Sequence, residues 1–133
     1  PIPSRGLGDV YKRQPLAPDT PLDAVIGTLT RGAVGSAWVE DPHHPGQLLG
    51  LITDGDLRRA LRNQPSAQWP GLTAANLMTT DPITTTTTVL AVEALKAMEH
   101  NRRKPVTVLP VVNHEGQLQG LLRLHDLVQA GLA

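Results

Sequence analysis

The chain has no cysteine and no phenylalanine, and with one tyrosine and two tryptophans its aromatic content is 2%. Without thiols there is no disulfide framework and no thiolate chemistry, which suits a reducing cytoplasm without requiring one. Trp38 and Trp69 have no basic residues interleaved with them, so they read as packing residues rather than as a base-stacking platform. Charge of either sign is not in excess: 12 Lys and Arg stand against 12 Asp and Glu. That removes the electrostatic footprint of a nucleic-acid binder or of a protein bound to an anionic membrane, leaving small molecules and protein surfaces as partners. No run approaches the ~18–20 apolar residues of a membrane span, and the N-terminus has no apolar signal core, so the sequence reads as soluble. At 133 residues there is room for one ordinary domain or two small subdomains, but not for a separate catalytic domain as well.

What is present is a duplication. Gly46-Gln47-Leu48-Leu49-Gly50-Leu51, followed by Asp56-Leu57, returns as Gly116-Gln117-Leu118-Gln119-Gly120-Leu121, followed by Asp126-Leu127. The match extends outward, with Leu22-Asp23-Ala24-Val25 against Val92-Glu93-Ala94-Leu95 and Ala60 against Ala130. Two copies of one unit imply a pseudo-symmetric pair with a shared cleft, an arrangement that points to binding before chemistry. Residues 1–14 lie outside the repeat and show neither helical nor strand periodicity. Ending in Gly-Asp-Val-Tyr-Lys-Arg-Gln, they are similar to a translated sequencing adapter and read as a non-native or disordered leader.

Within the first copy, Thr20-Pro21-Leu22-Asp23 predicts a helix start, with a capping hydroxyl, a proline at the first helical position and a carboxylate three residues after the cap. Leu22, Val25, Ile26 and Leu29 then fall on one apolar stripe, and Gly32 offers a stop. Gly35–Val39 and Leu48–Ile52 flank a turn rich in proline and glycine and predict an antiparallel hairpin, followed by a helix from about Asp54 to Arg62. A leading strand is expected at Leu16-Ala17. Gln64–Asn76 reads as a linker pinned by Leu72 and Leu77. The second copy repeats the pattern: a strand at Ile83–Thr87, a helix over Val89–Asn101 with Ala91, Leu95 and Met98 on one face, a hairpin of Thr107–Val112 with Leu118–Leu122, and a closing helix at Leu124–Ala130 ended by Gly131.

This βαββα repeat, with Gly50, Thr53, Asp56 and Leu57 in a Gly-x-x-Thr-x-x-Asp-Leu signature, resembles a tandem pair of CBS (cystathionine-β-synthase type) domains. Met78, Thr79 and Pro82, and the Leu-Pro-Val-Val strand at Leu109–Val112, agree with it. The resemblance implies an α/β (α+β) fold with pseudo-two-fold symmetry, a first domain over 15–66 that is truncated at its N-terminus, a linker at 67–76 and a second domain over 77–133. More narrowly, Gly50–Leu61 and Leu124–Gly131 are similar to the C-terminal CBS pair of the D-arabinose 5-phosphate isomerases, which convert ribulose 5-phosphate to arabinose 5-phosphate in the Kdo branch of lipopolysaccharide biosynthesis. In that family an upstream sugar isomerase (SIS) domain carries the chemistry, so no catalytic residue and no cofactor is assigned to this chain.

Thr53 and Asp56 have the spacing of a capping box, which needs no ligand. The resemblance implies a second reading: the Asp accepts hydrogen bonds from ribose hydroxyls, and the Thr hydroxyl, with helix N-terminal N–H groups, receives phosphate. In the second copy Arg123-Leu124-His125-Asp126 keeps the carboxylate without the hydroxyl, so a capping box is not the reason for Asp126. Arg123 could clamp phosphate, obstruct the site or pair with Asp126. The candidate nucleotide-binding set is therefore Thr53, Asp56, Ile83, Arg123 and Asp126. Arg58 and Arg59 read as exposed helix surface, and Arg102, Arg103 and Lys104 as a solvated cluster after a helix end. His43 and His44 lack further ligands for zinc, and His125 with Asp126, adjacent on a helix, do not face each other as a dyad would. The implied function is a cytoplasmic regulatory module that senses an adenine nucleotide or nucleotide-sugar in a homo-oligomer. The alternatives are a purely structural dimerisation module, or the CBS pair of an unrelated enzyme or transporter.

Overall fold

A computed structural model describes residues 15–31, 35–86, 88–89, 91–99 and 106–125. The chain divides into two compact units, one of residues 14–81 and the other of the chain from residue 82 onward. Mixed helices and strands recur in both, as the duplication predicts.

The first unit contains α1 (Leu22–Arg31), β1 (Ser36–Glu40), β2 (Leu48–Thr53), α2 (Asp54–Asn63), a 3₁₀ turn (Ser66–Gly71), α3 (Ala74–Leu77) and β3 (Thr79–Thr80). β1 and β2 form the expected antiparallel hairpin, with Trp38 opposite Leu51. Both faces of β1 are covered, Ala37 and Val39 on one side and Trp38 on the other, which is why it reads as a continuous apolar run and not as an alternation. The predicted leading strand is a single parallel bridge from Leu16 to Val39. Val25 and Leu29 of α1 are buried against Ala37, Val39, Ile52, Ala74 and Leu77. Each large aliphatic side chain buried in this way contributes about 1.5–3 kcal/mol. Ile26, on the same predicted stripe, is instead 38% exposed.

Helix α1 begins one residue later than its sequence signals suggest, and the expected box does not form. The Thr20 hydroxyl accepts the Ala17 N–H, and the Asp23 carboxylate accepts the N–H of Ala24. The Thr20 N–H also donates to the Ala17 carbonyl, so both groups of the box are taken by that turn, while the Leu22 N–H donates to the Leu72 carbonyl and the Thr20 carbonyl accepts from Ala74, pairing Pro21 with Thr73. Residues 64–76 thus do more than connect, since Ala74 joins the first unit's core and Leu72 packs against it, next to the buried Leu77. β3 extends the sheet, Thr80 pairing with Gly50 and Thr79 with Leu51.

In the second unit, α4 (Ala91–Glu99) packs Ala94, Leu95 and Met98 on Leu109, Val111 and Leu122 of the hairpin β4 (Val108–Val112) and β5 (Leu118–Arg123). The strand expected at Ile83–Thr87 reduces, among the described residues, to one parallel bridge between Thr85 and Val111. Thr85 is bonded as Leu16 is: its N–H donates to the residue before its bridge partner and its carbonyl accepts from the residue after. Both hairpins carry a bulge at the same place, Val39/Glu40 and Val111/Val112. Asp41 and Asn113 then do the same work, each accepting the N–H two residues on with its side chain. Gly32, the helix end at Asn101, Arg102, Arg103, Lys104, most of the closing helix and Gly131 lie outside the described residues.

Gly50 has a packing reason. A Cβ there would lie 2.6 Å from Met78 Sδ and 2.9 Å from the Thr79 carbonyl oxygen, and the second of these is backbone. Gly50→Ala is expected to destabilise the chain by about 1–3 kcal/mol in urea denaturation. Adding Met78→Ala should restore only part of that loss, because the clash with Thr79 remains.

Candidate functional site

The signature residues of the first copy meet where β2 runs into α2. Thr53 is the N-cap of α2, with extended backbone, and the capping box is formed. The Thr53 N–H donates to Asp56 Oδ2 at 2.9 Å, and the Asp56 N–H donates to Thr53 Oγ1 at 3.3 Å. The Thr53 hydroxyl also donates to Oδ2, at 3.0 Å. The other carboxylate oxygen, Oδ1, accepts from Arg59 Nη2 at 2.6 Å and from the Thr79 hydroxyl at 3.0 Å. Asp56 is 9% exposed, so a nearly buried carboxylate has both oxygens occupied by the chain's own donors. Burying such a charge is tolerable only because it is paired and hydrogen-bonded.

Two of these donors escaped the sequence reading. Arg59 is half exposed, as read, but it is not idle surface: it closes an i,i+3 ion pair with Asp56. That spacing was available as a signal and is common on helices. Thr79, 23 residues from Asp56, had no local signal.

In the second copy the chain leaves β5 at Arg123, which is opposite Val108, and turns helical at Leu124. The Leu124 N–H is taken by the Thr107 carbonyl at 2.7 Å, just as Asp54 N–H is taken by Gly35 at 3.2 Å in the first. Arg123 is half-buried. Ile83 is 37% exposed. Asp126 lies outside the described residues. The structure thus brings Thr53 and Asp56 together and sets Arg123 at the corresponding helix start.

Elsewhere in the first unit a groove of about 430 Å³ is lined by Asn63, Gln64, Gln68 and Asn76 together with Ala60, Gly71 and Leu72, none of them titratable. Trp69 donates from Nε1 to the Gln64 carbonyl at 3.0 Å. Trp38, 2% exposed, is a core residue whose Nε1 donates to Glu40. In the first hairpin turn the Asp41 carboxylate accepts the His43 N–H and pairs with His44 Nδ1, both at 2.9 Å. The His43 N–H, and after it the His44 side chain, hold the Asp41 carboxyl below its usual value. No group of three or more His, Cys, Asp or Glu able to hold a metal occurs among the described residues. No helix among them is long and apolar enough to cross a membrane.

A duplicated sheet-and-helix unit with a capped helix start after its second strand defines a class, and comparison bears it out. The CBS domain family matches residues 8–63 and 74–133, and the chain belongs to that family as a CBS domain pair. It is similar to arabinose 5-phosphate isomerase KdsD of Pseudomonas aeruginosa, with 38% identity over 113 residues, covering 85% of this chain and 32% of the isomerase. The chain therefore spans about a third of the length of that relative. Among solved structures it is similar to CBSX2 in complex with AMP, with a TM-score of 0.77 and 23% identity over 97% of this chain and 94% of that one. A CBS domain protein from Pyrobaculum aerophilum complexed with AMP gives 0.73 and 24% over 90% and 92%. Both likenesses establish the fold.

Thr53→Ala is expected to cost about 1 kcal/mol in equilibrium denaturation, the ordinary loss of a cap. Asp56→Ala should cost more, about 2–3 kcal/mol, because it also strands the donors of Thr79 and Arg59. For Asp41, whose folded pKa is depressed, the stabilisation is full above the unfolded value of about 3.9 and is lost as pH falls through the lower folded one. The stability gap between the wild type and Asp41→Ala should accordingly narrow on acidification from about pH 5 to about pH 2.

Proposed function

We propose that this CBS pair is the ligand-sensing regulatory part of an arabinose 5-phosphate isomerase, taking an adenine nucleotide or nucleotide-sugar as effector. The observation that carries the reading is the identity to KdsD, which runs through 85% of the chain. The aldose–ketose chemistry, interconverting ribulose 5-phosphate and arabinose 5-phosphate for Kdo and lipopolysaccharide synthesis, belongs in this reading to an SIS domain outside these residues. Sensing is supported by the AMP complexes of CBSX2 and of the Pyrobaculum aerophilum protein, which have the same fold.

The second copy is one place of contact in this reading. Its helix start offers a guanidinium at Arg123 for the effector's phosphate, and Asp126 as an acceptor for ribose hydroxyls. In the first copy Thr53 and Asp56 are already engaged with each other, with Arg59 and with Thr79. Ile83, exposed in the second unit, supplies apolar surface for a base. An effector regulates only through unequal affinity for two arrangements of the pair, and that inequality is what the attached enzyme would read.

The scaffold reading has an observation of its own. Ile26 on α1 and Val92 on α4 are 38% and 46% exposed, large apolar side chains on helices that could pack between copies in a homo-oligomer. Thermal denaturation with AMP, ADP, ATP and CMP-activated Kdo separates the two. At a hundred times its dissociation constant, an effector should add about 2.7 kcal/mol of stability, and Arg123→Ala or Asp126→Ala should remove that gain. If none of the four shifts the transition, the sensor reading falls and the scaffold stands.

A further inference from the structure

β3 is held to the first unit by very little. It is two residues long and pairs only with β2. Thr80 is exposed, and Met78 lies over Gly50 on the way in. The strong tie is from the Thr79 side chain, whose hydroxyl donates to the buried Asp56 carboxylate at 3.0 Å. A hydrogen bond to a charged, desolvated acceptor is worth about twice an ordinary one.

The residue that follows works against this tie. Asp81, with φ of 50°, is the one non-glycine residue with positive φ among the described residues. Left-handed backbone is unfavourable for a residue with a Cβ, though Asp tolerates it better than most. Pro82 follows, and a proline pushes the residue before it toward extended backbone with negative φ. The strain therefore lies between a strand fixed by a side-chain hydrogen bond and the first residue of the second unit.

We propose that Thr79 and Asp81 form a sprung strap: the Thr79–Asp56 hydrogen bond keeps β3 on the sheet against the strain at Asp81, and when it breaks, Thr79 and Thr80 leave the sheet and Asp81 relaxes to extended backbone. The same carboxylate that caps α2 is the catch. Any group that takes Asp56 Oδ1 as its own acceptor, whether or not it is the effector suggested above, must displace Thr79 or Arg59. Loss of Thr79 transmits the event to the segment that joins the two units.

Amide hydrogen exchange of the peptide covering residues 78–81, in the full chain without ligand, tests the strap. Thr79→Val, which keeps shape and loses the hydroxyl, should speed exchange there by about tenfold while the β1–β2 hairpin keeps its protection. Thr79→Ser should restore the wild-type rate. Asp81→Gly, which accepts positive φ without strain, should slow the exchange. Wild-type exchange in Thr79→Val would show that the hydroxyl holds nothing and overturn the strap. Faster exchange in Asp81→Gly would overturn the spring. If Thr79→Val fails to fold, Thr79→Ala, read for the same faster exchange, decides the strap, and Asp81→Gly decides the spring. Absence of nucleotide binding, by contrast, bears only on the effector and leaves this result intact.

Discussion

The carboxylate of Asp56 is the tie on which the first unit's functional end depends. It is nearly buried, and a desolvated carboxylate is costly unless it is paired and hydrogen-bonded. The partners come from three places in the chain: Thr53 at the end of β2, Arg59 one turn along α2, and Thr79 in β3. One side chain thus starts the helix, fixes the strand that feeds it and fastens the short edge strand laid beside it. Gly50 makes this geometry possible, because only a residue without a Cβ lets Met78 and the Thr79 carbonyl come so close to β2.

The two copies share their backbone rules more than their side chains. The parallel bridge, the strand bulge and the side-chain-capped turn recur, with Leu16 replaced by Thr85 and Asp41 by Asn113. The first residue of the helix after each hairpin gives its N–H to a carbonyl just ahead of the hairpin's first strand. What the copies do not share is the residue at the strand-to-helix corner, Thr53 in one and Arg123 in the other. A hydroxyl at that position can accept a backbone N–H and cap a helix. A guanidinium has no acceptor, so the cap chemistry of the first copy is unavailable to the second.

Much of this was legible in the sequence, and for reasons that can be named. The hairpins show because their strands are short apolar runs around turns that only Gly, Pro, Asn and Asp could make. Helix α2 shows because Thr53 and Asp56 are three apart, and the structure forms that very box. At Thr20, equally good local signals failed, since the backbone there pairs with residues 72–74. A local turn at Ala17 also took the Thr20 hydroxyl and N–H that a cap would have used. β3 was missed because two threonines carry no periodicity. The strand expected at Ile83–Thr87 kept only Thr85, where the chain touches β4 for a single residue. Within the site, Thr53 and Asp56 were legible from spacing, whereas Thr79 is brought in by the fold alone.

These differences bear on how a duplicated site divides its work. A carboxylate has a limited number of lone-pair directions, and each one filled by the protein is unavailable to a ligand. In the first unit all the acceptor capacity seen at Asp56 is spent internally, on a cap, an ion pair and the Thr79 hydroxyl. That expenditure stabilises the unit and at the same time raises the cost of using the residue for recognition, because a ligand hydroxyl must equal the bond it displaces. Divergence at one corner residue, a threonine in one copy and an arginine in the other, thus confines this hydroxyl-capped arrangement to the first helix start.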